Sequence, residues 1–143
     1  MTDFSIHIET GSALRAKRLR TKRFRRLFFE MRKQIGDEKD AIELLLTNHL
    51  EMQKFNFKFR KKNKPTDVLS FSSDRRPLLG SIIIDLETAE NQARDFSHSF
   101  EQECLELFIH GVLHLYGFDH EIAPEADFMS FYESYFVGLS KKM

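Results

Sequence analysis

The sequence predicts a single α+β domain over residues 1–143, in which a mixed sheet of about four strands packs with about five helices. The chain of 143 residues is long enough for one hydrophobic core and too short for two ordinary domains. Strand-like and helix-like segments follow one another without a repeat or a long linker. A histidine-rich block predicts a metal site on a C-terminal helix and the turn that follows it.

Four short segments have the apolar pattern of strands. Residues 3–9 alternate apolar and polar side chains, which is typical of a half-buried strand. Residues 41–47 and 66–72 are expected to form the second and third strands. Residues 81–85 are almost continuously apolar, which is typical of a strand buried on both faces.

Helical patterns occupy most of the remaining chain. A basic amphipathic helix is predicted after the first strand and should end near Gly36. Asn48 can cap a second helix over residues 49–60, and Pro65 prevents that helix from continuing. Three more helices are expected at residues 86–96, 100–116 and 124–139, the last beginning at Pro124. The basic helix should bury a stripe of five side chains, which are Leu19, Phe24, Leu27, Phe28 and Met31.

The composition excludes several classes of protein. The single cysteine, Cys104, rules out an internal disulfide and suits a reducing compartment, and its place on a predicted helix favours core packing. The longest apolar stretches cover only a few residues, and the N-terminus lacks the basic and apolar regions of a signal peptide. We therefore expect a cytoplasmic protein that does not span a membrane.

The net charge of zero conceals two halves of opposite sign. Residues 1–80 contain 19 Lys and Arg against 10 Asp and Glu, which gives +9, whereas residues 81–143 contain 3 against 12, which gives −9. Ten basic side chains lie between Arg15 and Lys33. A second basic group consists of Arg60, Lys61, Lys62 and Lys64. Such clusters attract polyphosphate backbones without recognising sequence, although the first could equally be a solvated helix face.

The eleven residues HGVLHLYGFDH, from His110 to His120, contain three of the six histidines. On a helix, His110 and His114 lie on one face about one turn apart, at roughly 5 to 6 Å. Gly117 follows the helical pattern where a left-handed residue commonly ends a helix, so the chain can turn and bring His120 to the same ion. Three histidine ligands without an obvious fourth indicate a catalytic zinc site with one open position.

One interpretation of this spacing is a metzincin-like metalloprotease. The pattern HxxxHxxGxxH is the ligand spacing of the metzincin zinc proteases, and this block is in register with it. Those proteases place a glutamate directly after the first histidine as the general base. This chain has Gly111 there, which cannot accept a proton, so the residue needed for peptide hydrolysis is missing.

Three segments resemble the YbeY family of metal-dependent endoribonucleases. HGVLHLYGFDH is similar to the family signature HGxLHLxGYDH and departs from it only at Phe118. FRKKNKPTDVLSFS, from Phe59 to Ser72, resembles the family block Y-R-x-K-D-x-P-T-D/N-V-L-S-F. LLGSIIIDLETAENQA, from Leu78 to Ala93, resembles L-G-D-I-x-I-x-x-E-T-A-x-x-Q-A. Together with the histidine block, these segments cover about half of the chain.

The resemblance implies a zinc-dependent endoribonuclease that cuts single-stranded RNA. It further implies maturation of ribosomal RNA at the 3′ end of the small-subunit RNA, a part in ribosome quality control, and the ribosome or its small subunit as a partner. Carried onto this chain, it implies His110, His114 and His120 as ligands of one Zn²⁺ ion. It also implies catalytic roles for Arg60 and His114. A guanidinium such as that of Arg60 can stabilise charge that gathers on the phosphate.

The sequence leaves some alternatives open. A non-catalytic RNA-binding ribosome-assembly factor with a structural metal would need a fourth ligand, which an unidentified carboxylate could supply. Arg60 could be a surface or capping residue, and Asp119 could either orient a histidine or cap a turn. Ser81 stands where the family block has an acidic residue, so the function of that residue is in doubt here.

Overall fold

The computed structural model describes residues 3–64, 66–119 and 125–143. Within these ranges, one sheet contains β1 (Phe4–Ile8), β2 (Ala41–Thr47), β3 (Val68–Ser72) and β4 (Leu78–Asp85). The helices in the same ranges are α1 (Ala13–Ala16), α2 (Thr21–Ile35), α3 (His49–Arg60), α4 (Leu86–Asp95), α5 (Phe100–Leu115) and α6 (Glu125–Ser140).

The sheet is mixed, and its strand order is β1-β2-β4-β3. The first three of these strands run parallel, with Leu44 of β2 opposite Ile6 on one side and Ile82 on the other. β3 pairs antiparallel with β4, with Leu69 opposite Ile83, and forms one edge of the sheet. A four-stranded mixed sheet packed with helices confirms the predicted α+β class.

The two faces of the sheet are covered by different helices. α5 packs on the face that presents Ile82 and Ile84, and most of this helix is buried in the main core. α3 covers the opposite face through Met52, which is fully buried against Leu69 and Ile83. The predicted core position of Cys104 on α5 is confirmed, since its side chain is fully buried. No helix among the described residues combines the length and the apolar character needed to cross a bilayer.

The predicted basic helix is divided in the structure. α1 ends at Ala16 and α2 begins only at Thr21, so Leu19 is buried in the connection between them. The backbone N–H of Arg20 donates to the carboxylate of Glu101 on α5 at 2.6 Å, and its guanidinium donates to the same carboxylate at 2.8 Å. This tertiary contact stabilises a break that the charge pattern could not indicate. The rest of the predicted stripe is buried on α2 and consists of Phe24, Leu27, Phe28 and Met31.

Other element boundaries agree with the sequence or differ for local reasons. Asn48 caps α3 as predicted, because its side chain accepts from the backbone N–H of Glu51 at 3.0 Å. β4 begins at Leu78 and not at residue 81, because Gly80 lets it approach β3 closely. A Cβ on Gly80 would lie 2.1 Å from the carbonyl oxygen of Phe71. The predicted stop at Pro65 and helix start at Pro124 lie outside the described residues.

Candidate metal and nucleic-acid site

The helix α5 brings two of the three predicted metal ligands together. The Nε2 atoms of His110 and His114 lie 2.9 Å apart, and their ring centroids lie 4.4 Å apart. Two nitrogens bound at ~2.0 to 2.1 Å to one tetrahedral ion would lie roughly 3.3 Å apart. The two rings therefore already point toward a common position, at a separation that a small change in either side chain would match to a metal ion.

The end of α5 has the helix-ending turn that was predicted from the position of Gly117. Gly117 has a φ of +92°, its N–H donates to the carbonyl of His114 at 2.9 Å, and the N–H of Phe118 donates to Leu113 at 3.1 Å. These two bonds form a Schellman motif, which reverses the chain after the helix. Tyr116 anchors this end through its hydroxyl, which donates to the buried carboxylate of Asp40 at 2.7 Å. Burial and this hydrogen bond raise the pKa of Tyr116 well above its usual value.

The third predicted ligand, His120, lies outside the described residues. Within the ranges that are described, no group of three or more His, Cys, Asp or Glu side chains has an arrangement that could hold a metal ion. The described part of the chain therefore provides two converging histidines, which fit a metal by their chemistry and spacing. The three-ligand site stays a prediction.

A cleft of about 530 Å³ lies beside the histidine pair and contains the predicted arginine. Arg60, at the C-terminal end of α3, shares this cleft with His110 and His114, although it is fifty residues away in sequence. Asp119 also lines it, directly before the position of the third predicted ligand. The remaining lining side chains come from α3, the segment after it and β3, and include Asn56, Lys62, Lys64, Thr66, Asp67 and Ser70.

The local structure around Arg60 depends on a buried amide that the sequence analysis did not identify. α3 ends at Arg60 because Lys61 adopts a left-handed conformation, with a φ of 60°. Asn56, which is 3 % exposed, donates from its side chain to the backbone carbonyl of Lys64 at 2.7 Å. This hydrogen bond folds the basic segment back against α3 and keeps Lys62 and Lys64 at the cleft.

A carboxylate on α6 lies on the other side of the first histidine. Oε1 of Glu133 is 3.6 Å from Nδ1 of His110, the ring nitrogen that faces away from His114. Carboxylates in this position commonly fix the tautomer and orientation of a metal-binding histidine. Because Glu133 and His110 belong to different helices, no motif in the sequence could have indicated this contact.

A smaller cleft of about 390 Å³ adjoins the first and shares His110 with it. The smaller cleft is lined by Glu133. It contains His98, whose Nε2 lies 2.6 Å from Oε1 of Glu103 and whose Nδ1 lies 3.6 Å from Glu106. Burial raises the pKa of Glu103 despite its contact with His98. The smaller cleft thus contains a second histidine with carboxylate partners, separate from the predicted metal ligands.

The position after His110 has no room for a side chain. A Cβ on Gly111 would lie 2.9 Å from Cγ2 of Ile82, because α5 packs tightly on β4 at this point. The glutamate that a metzincin protease carries here would therefore require a shift of the Ile82 side chain, of the helix or of the strand. The structure thus adds a steric reason to the chemical one that separates this chain from those proteases.

The two basic clusters differ in their surroundings. Five of the ten basic side chains between Arg15 and Lys33 form ion pairs inside the protein, to Asp3, Glu90 or Glu101. Half of this cluster therefore has carboxylate partners within the protein, a role that neither an anion-binding surface nor a solvated helix face predicted. By contrast, the members of the second cluster are all exposed, and these are Arg60, Lys61, Lys62 and Lys64.

Comparisons with known proteins agree with the sequence resemblance. A family model described as Endoribonuclease YbeY matches residues 7–137. A protein from Aliarcobacter butzleri named Endoribonuclease YbeY is 49% identical over 85 residues, which cover 57% of this chain and 61% of that protein. A protein of the same name from Solibacter usitatus is 43% identical over 104 residues, which cover 73% of this chain and 69% of that protein.

A solved structure supports the fold. The solution structure of a protein from Thermotoga maritima matches with a TM-score of 0.64 at 31% identity, and the match covers 94% of this chain and 88% of that one. The alignments to the first curated relatives span only about six tenths of those proteins' own length.

Proposed function

Because the chain belongs to the YbeY family, we propose that it is a metal-dependent endoribonuclease that cleaves single-stranded RNA. The observation that carries the proposal is a cleft lined both by Arg60, Lys62 and Lys64 and by His110 and His114, whose Nε2 atoms lie 2.9 Å apart. Basic side chains bind a phosphate backbone, and a histidine pair suits a metal ion that acts on phosphodiesters. The cleft thus combines a site for the substrate with a site for the chemistry.

We propose that His110 and His114, with His120, hold one Zn²⁺ ion. When bound, zinc supplies Lewis acidity to a phosphoryl oxygen and lowers the pKa of water. Glu133 would accept from Nδ1 of His110 and keep its Nε2 unprotonated, since only an unprotonated nitrogen can bind a metal. At the observed separation of 3.6 Å, a small rotation of either side chain would form a full hydrogen bond.

The proposed role of Arg60 is to bind the phosphate that is being cleaved. Its planar guanidinium can donate two hydrogen bonds to one phosphate. In the transition state, negative charge gathers on the phosphoryl oxygens, and a donor that is already in place stabilises this charge without reorganisation. Lys62 and Lys64, on the same cleft, would bind the neighbouring phosphates of the strand.

The biological setting that we propose follows the family resemblance. The substrate would be single-stranded ribosomal RNA, with cleavage at the 3′ end of the small-subunit RNA and a part in ribosome quality control, and the small ribosomal subunit would be the partner. The exposed basic cluster supports a polyanionic partner of this kind. A cytoplasmic location agrees with the single cysteine, which cannot form an internal disulfide.

The decisive experiment combines metal content with RNA cleavage. The purified chain should contain about one zinc per molecule and cut a short single-stranded RNA, and a chelator should abolish cleavage until zinc is restored. The same preparation should leave unfolded casein intact, because Gly111 cannot act as a general base. Cleavage of RNA that persists after the metal has been removed would contradict the proposed site.

A further inference from the structure

The C-terminal half of α3 and the segment after it alternate aromatic and basic side chains. Residues 54–64, KFNFKFRKKNK, contain three phenylalanines, six basic side chains and no acidic one. Proteins that bind single-stranded nucleic acids combine a positive surface for the backbone with aromatic rings on which bases stack. This segment has both chemistries, and its first two phenylalanines, Phe55 and Phe57, precede the block that resembles the family.

Two of these phenylalanines form one wall of an apolar groove. Phe55 and Phe59 stack with their ring centroids 6.3 Å apart and an interplanar angle of 14°. Phe71 of β3 extends the aromatic surface, with its centroid 5.0 Å from that of Phe59. The groove has a volume of about 410 Å³, which is within the range of ~300 to 1,000 Å³ typical of small-ligand sites. Its other lining residues are His7, Glu43, Leu45, Ser81 and Ile83.

The groove adjoins the cleft that contains the histidine pair, although it lies on the opposite side of the sheet edge. Phe59 lines the groove, and the next residue, Arg60, lines the cleft. On β3, Ser70 lines the cleft and the next residue, Phe71, lines the groove. Consecutive residues are ~3.8 Å apart at their Cα atoms, so one strand of RNA can pass around the end of α3 and enter both.

The chemistry of the groove favours a base over a phosphate. Its surface is mainly aromatic and aliphatic, and its acidic member, Glu43, accepts from the hydroxyl of Ser81 at 3.1 Å and would repel an anion. A carboxylate at this position can instead accept from the amino group of a nucleobase. No Lys or Arg is among the described residues that line the groove, and Nζ of Lys58 is 5.3 Å from the ring centroid of Phe59.

We propose that the groove formed by Phe55, Phe59 and Phe71 is a stacking site for an unpaired nucleobase of the RNA strand whose backbone occupies the cleft. The proposal rests on the proposed ribonuclease function and adds a physical basis for selecting single strands. A base that is paired in a duplex cannot leave its stack to enter the groove without a large energetic cost. The groove would therefore favour RNA with unpaired bases, whatever their sequence.

The test compares two short single-stranded RNAs that differ only in their bases. One is a normal oligonucleotide, and the other has abasic positions at its centre, so it keeps every phosphate but cannot stack there. Binding of each to the full chain is measured by fluorescence anisotropy, and a denaturing gel run afterwards verifies that the probes are intact. The ratio of the two affinities isolates the contribution of the bases from that of the phosphates.

The variants Phe59→Leu and Phe71→Leu retain an apolar side chain but lose the ring. Phe57→Leu is the matched control, because Phe57 is on the same helix and 56 % exposed against 51 % for Phe59, but does not line the groove. The wild type and Phe57→Leu should bind the normal RNA at least about fivefold more tightly than the abasic RNA. Phe59→Leu should reduce this ratio to near one and leave the affinity for the abasic RNA unchanged.

The outcomes separate this proposal from the proposed function. A wild type that binds both RNAs equally, or a Phe59→Leu variant that keeps the full ratio, would overturn the stacking site even if RNA cleavage is observed. If Phe57→Leu also binds the two RNAs equally, the preference for bases would come from exposed aromatic side chains in general. That result too would overturn the stacking site. A chain that discriminates the two RNAs but cuts neither would support the stacking site and contradict the nuclease. Circular dichroism of each variant controls for folding.

Discussion

Oε1 of Glu133 lies 3.6 Å from Nδ1 of His110, on the side of the imidazole opposite to the nitrogen that faces His114. This geometry connects α6 to the proposed metal site. It predicts that Glu133 acts through His110 rather than on the substrate.

Replacing Glu133 by Gln should weaken zinc binding by about 10- to 100-fold, because the amide keeps the shape but loses the charge that favours a proton on Nδ1. Competition with a chromogenic chelator measures this affinity. Glu106→Gln is the matched control, since Glu106 also lies 3.6 Å from a histidine nitrogen, but that histidine is His98. Equal zinc affinity in Glu133→Gln and the wild type would show that the carboxylate does not orient the ligand.

Replacing His114 by Ala should remove most of the bound zinc and abolish RNA cleavage, since the two remaining predicted ligands rarely hold a catalytic ion firmly. Metal analysis of the purified protein and a cleavage assay measure both effects. His7→Ala should retain its zinc, because His7 is an exposed residue of β1 that does not line the cleft. Full occupancy and normal cleavage in His114→Ala would exclude this histidine from the site.

Arg60 should affect the chemical step and not the metal. Arg60→Ala should raise the barrier to cleavage by about 2.7 to 4 kcal/mol if the guanidinium stabilises transition-state charge. Arg60→Lys should recover only part of this loss, because an ammonium keeps the charge without the planar pair of donors. Single-turnover rates at saturating RNA measure the effect, and Lys61→Ala serves as a control because Lys61 is exposed but does not line the cleft. A variant that binds weakly but cleaves normally once bound would make Arg60 a phosphate anchor.

Replacing each of two helical glycines by alanine should change the stability of the fold in opposite directions. Gly111→Ala should destabilise the fold by about 1 to 3 kcal/mol, since the new Cβ would lie 2.9 Å from Cγ2 of Ile82. Gly138→Ala on α6 should stabilise it by roughly 0.5 to 1 kcal/mol, because nothing lies within 4 Å of a Cβ there and alanine favours helix. Urea unfolding of both variants measures the difference. Two variants of equal stability would show that the contact with Ile82 relaxes without cost.

Local patterns in the sequence predicted most of the fold and the closeness of His110 and His114, whereas the complete set of site residues stays a prediction. The spacing of His110 and His114, the position of Gly117 and the cap at Asn48 are consequences of helix geometry, which short stretches of sequence contain. The contacts that the sequence did not predict join segments that are far apart along the chain. The break before Thr21 depends on a carboxylate on α5, Glu133 approaches His110 from α6, and Phe71 of β3 contacts Phe59 of α3. No periodicity in the chain specifies such pairs.

The buried carboxylate of Glu101 predicts a dependence of stability on pH. Burial alone would raise its pKa, but hydrogen bonds from Arg20 and Arg23 outweigh this effect and hold the pKa below its usual value. The folded state therefore binds the proton more weakly than the unfolded state, whose carboxyl titrates near ~4.3. The stabilisation is complete above that pH and is lost as the pH falls through the lower, folded pKa.

Glu101→Gln should reduce the free energy of unfolding at neutral pH by about 1 to 3 kcal/mol, because Arg23, which is largely buried, loses the partner of its charge. The difference from the wild type should begin to shrink as the pH falls below ~4.3, where the unfolded chain takes up the proton, and disappear below the lower, folded pKa. Urea unfolding across this range measures both effects, with the exposed Glu38→Gln as the matched control. If the difference in free energy of unfolding stays constant at every pH, the effect comes from packing. The charge of Glu101 then does not stabilise the connection between α1 and α2.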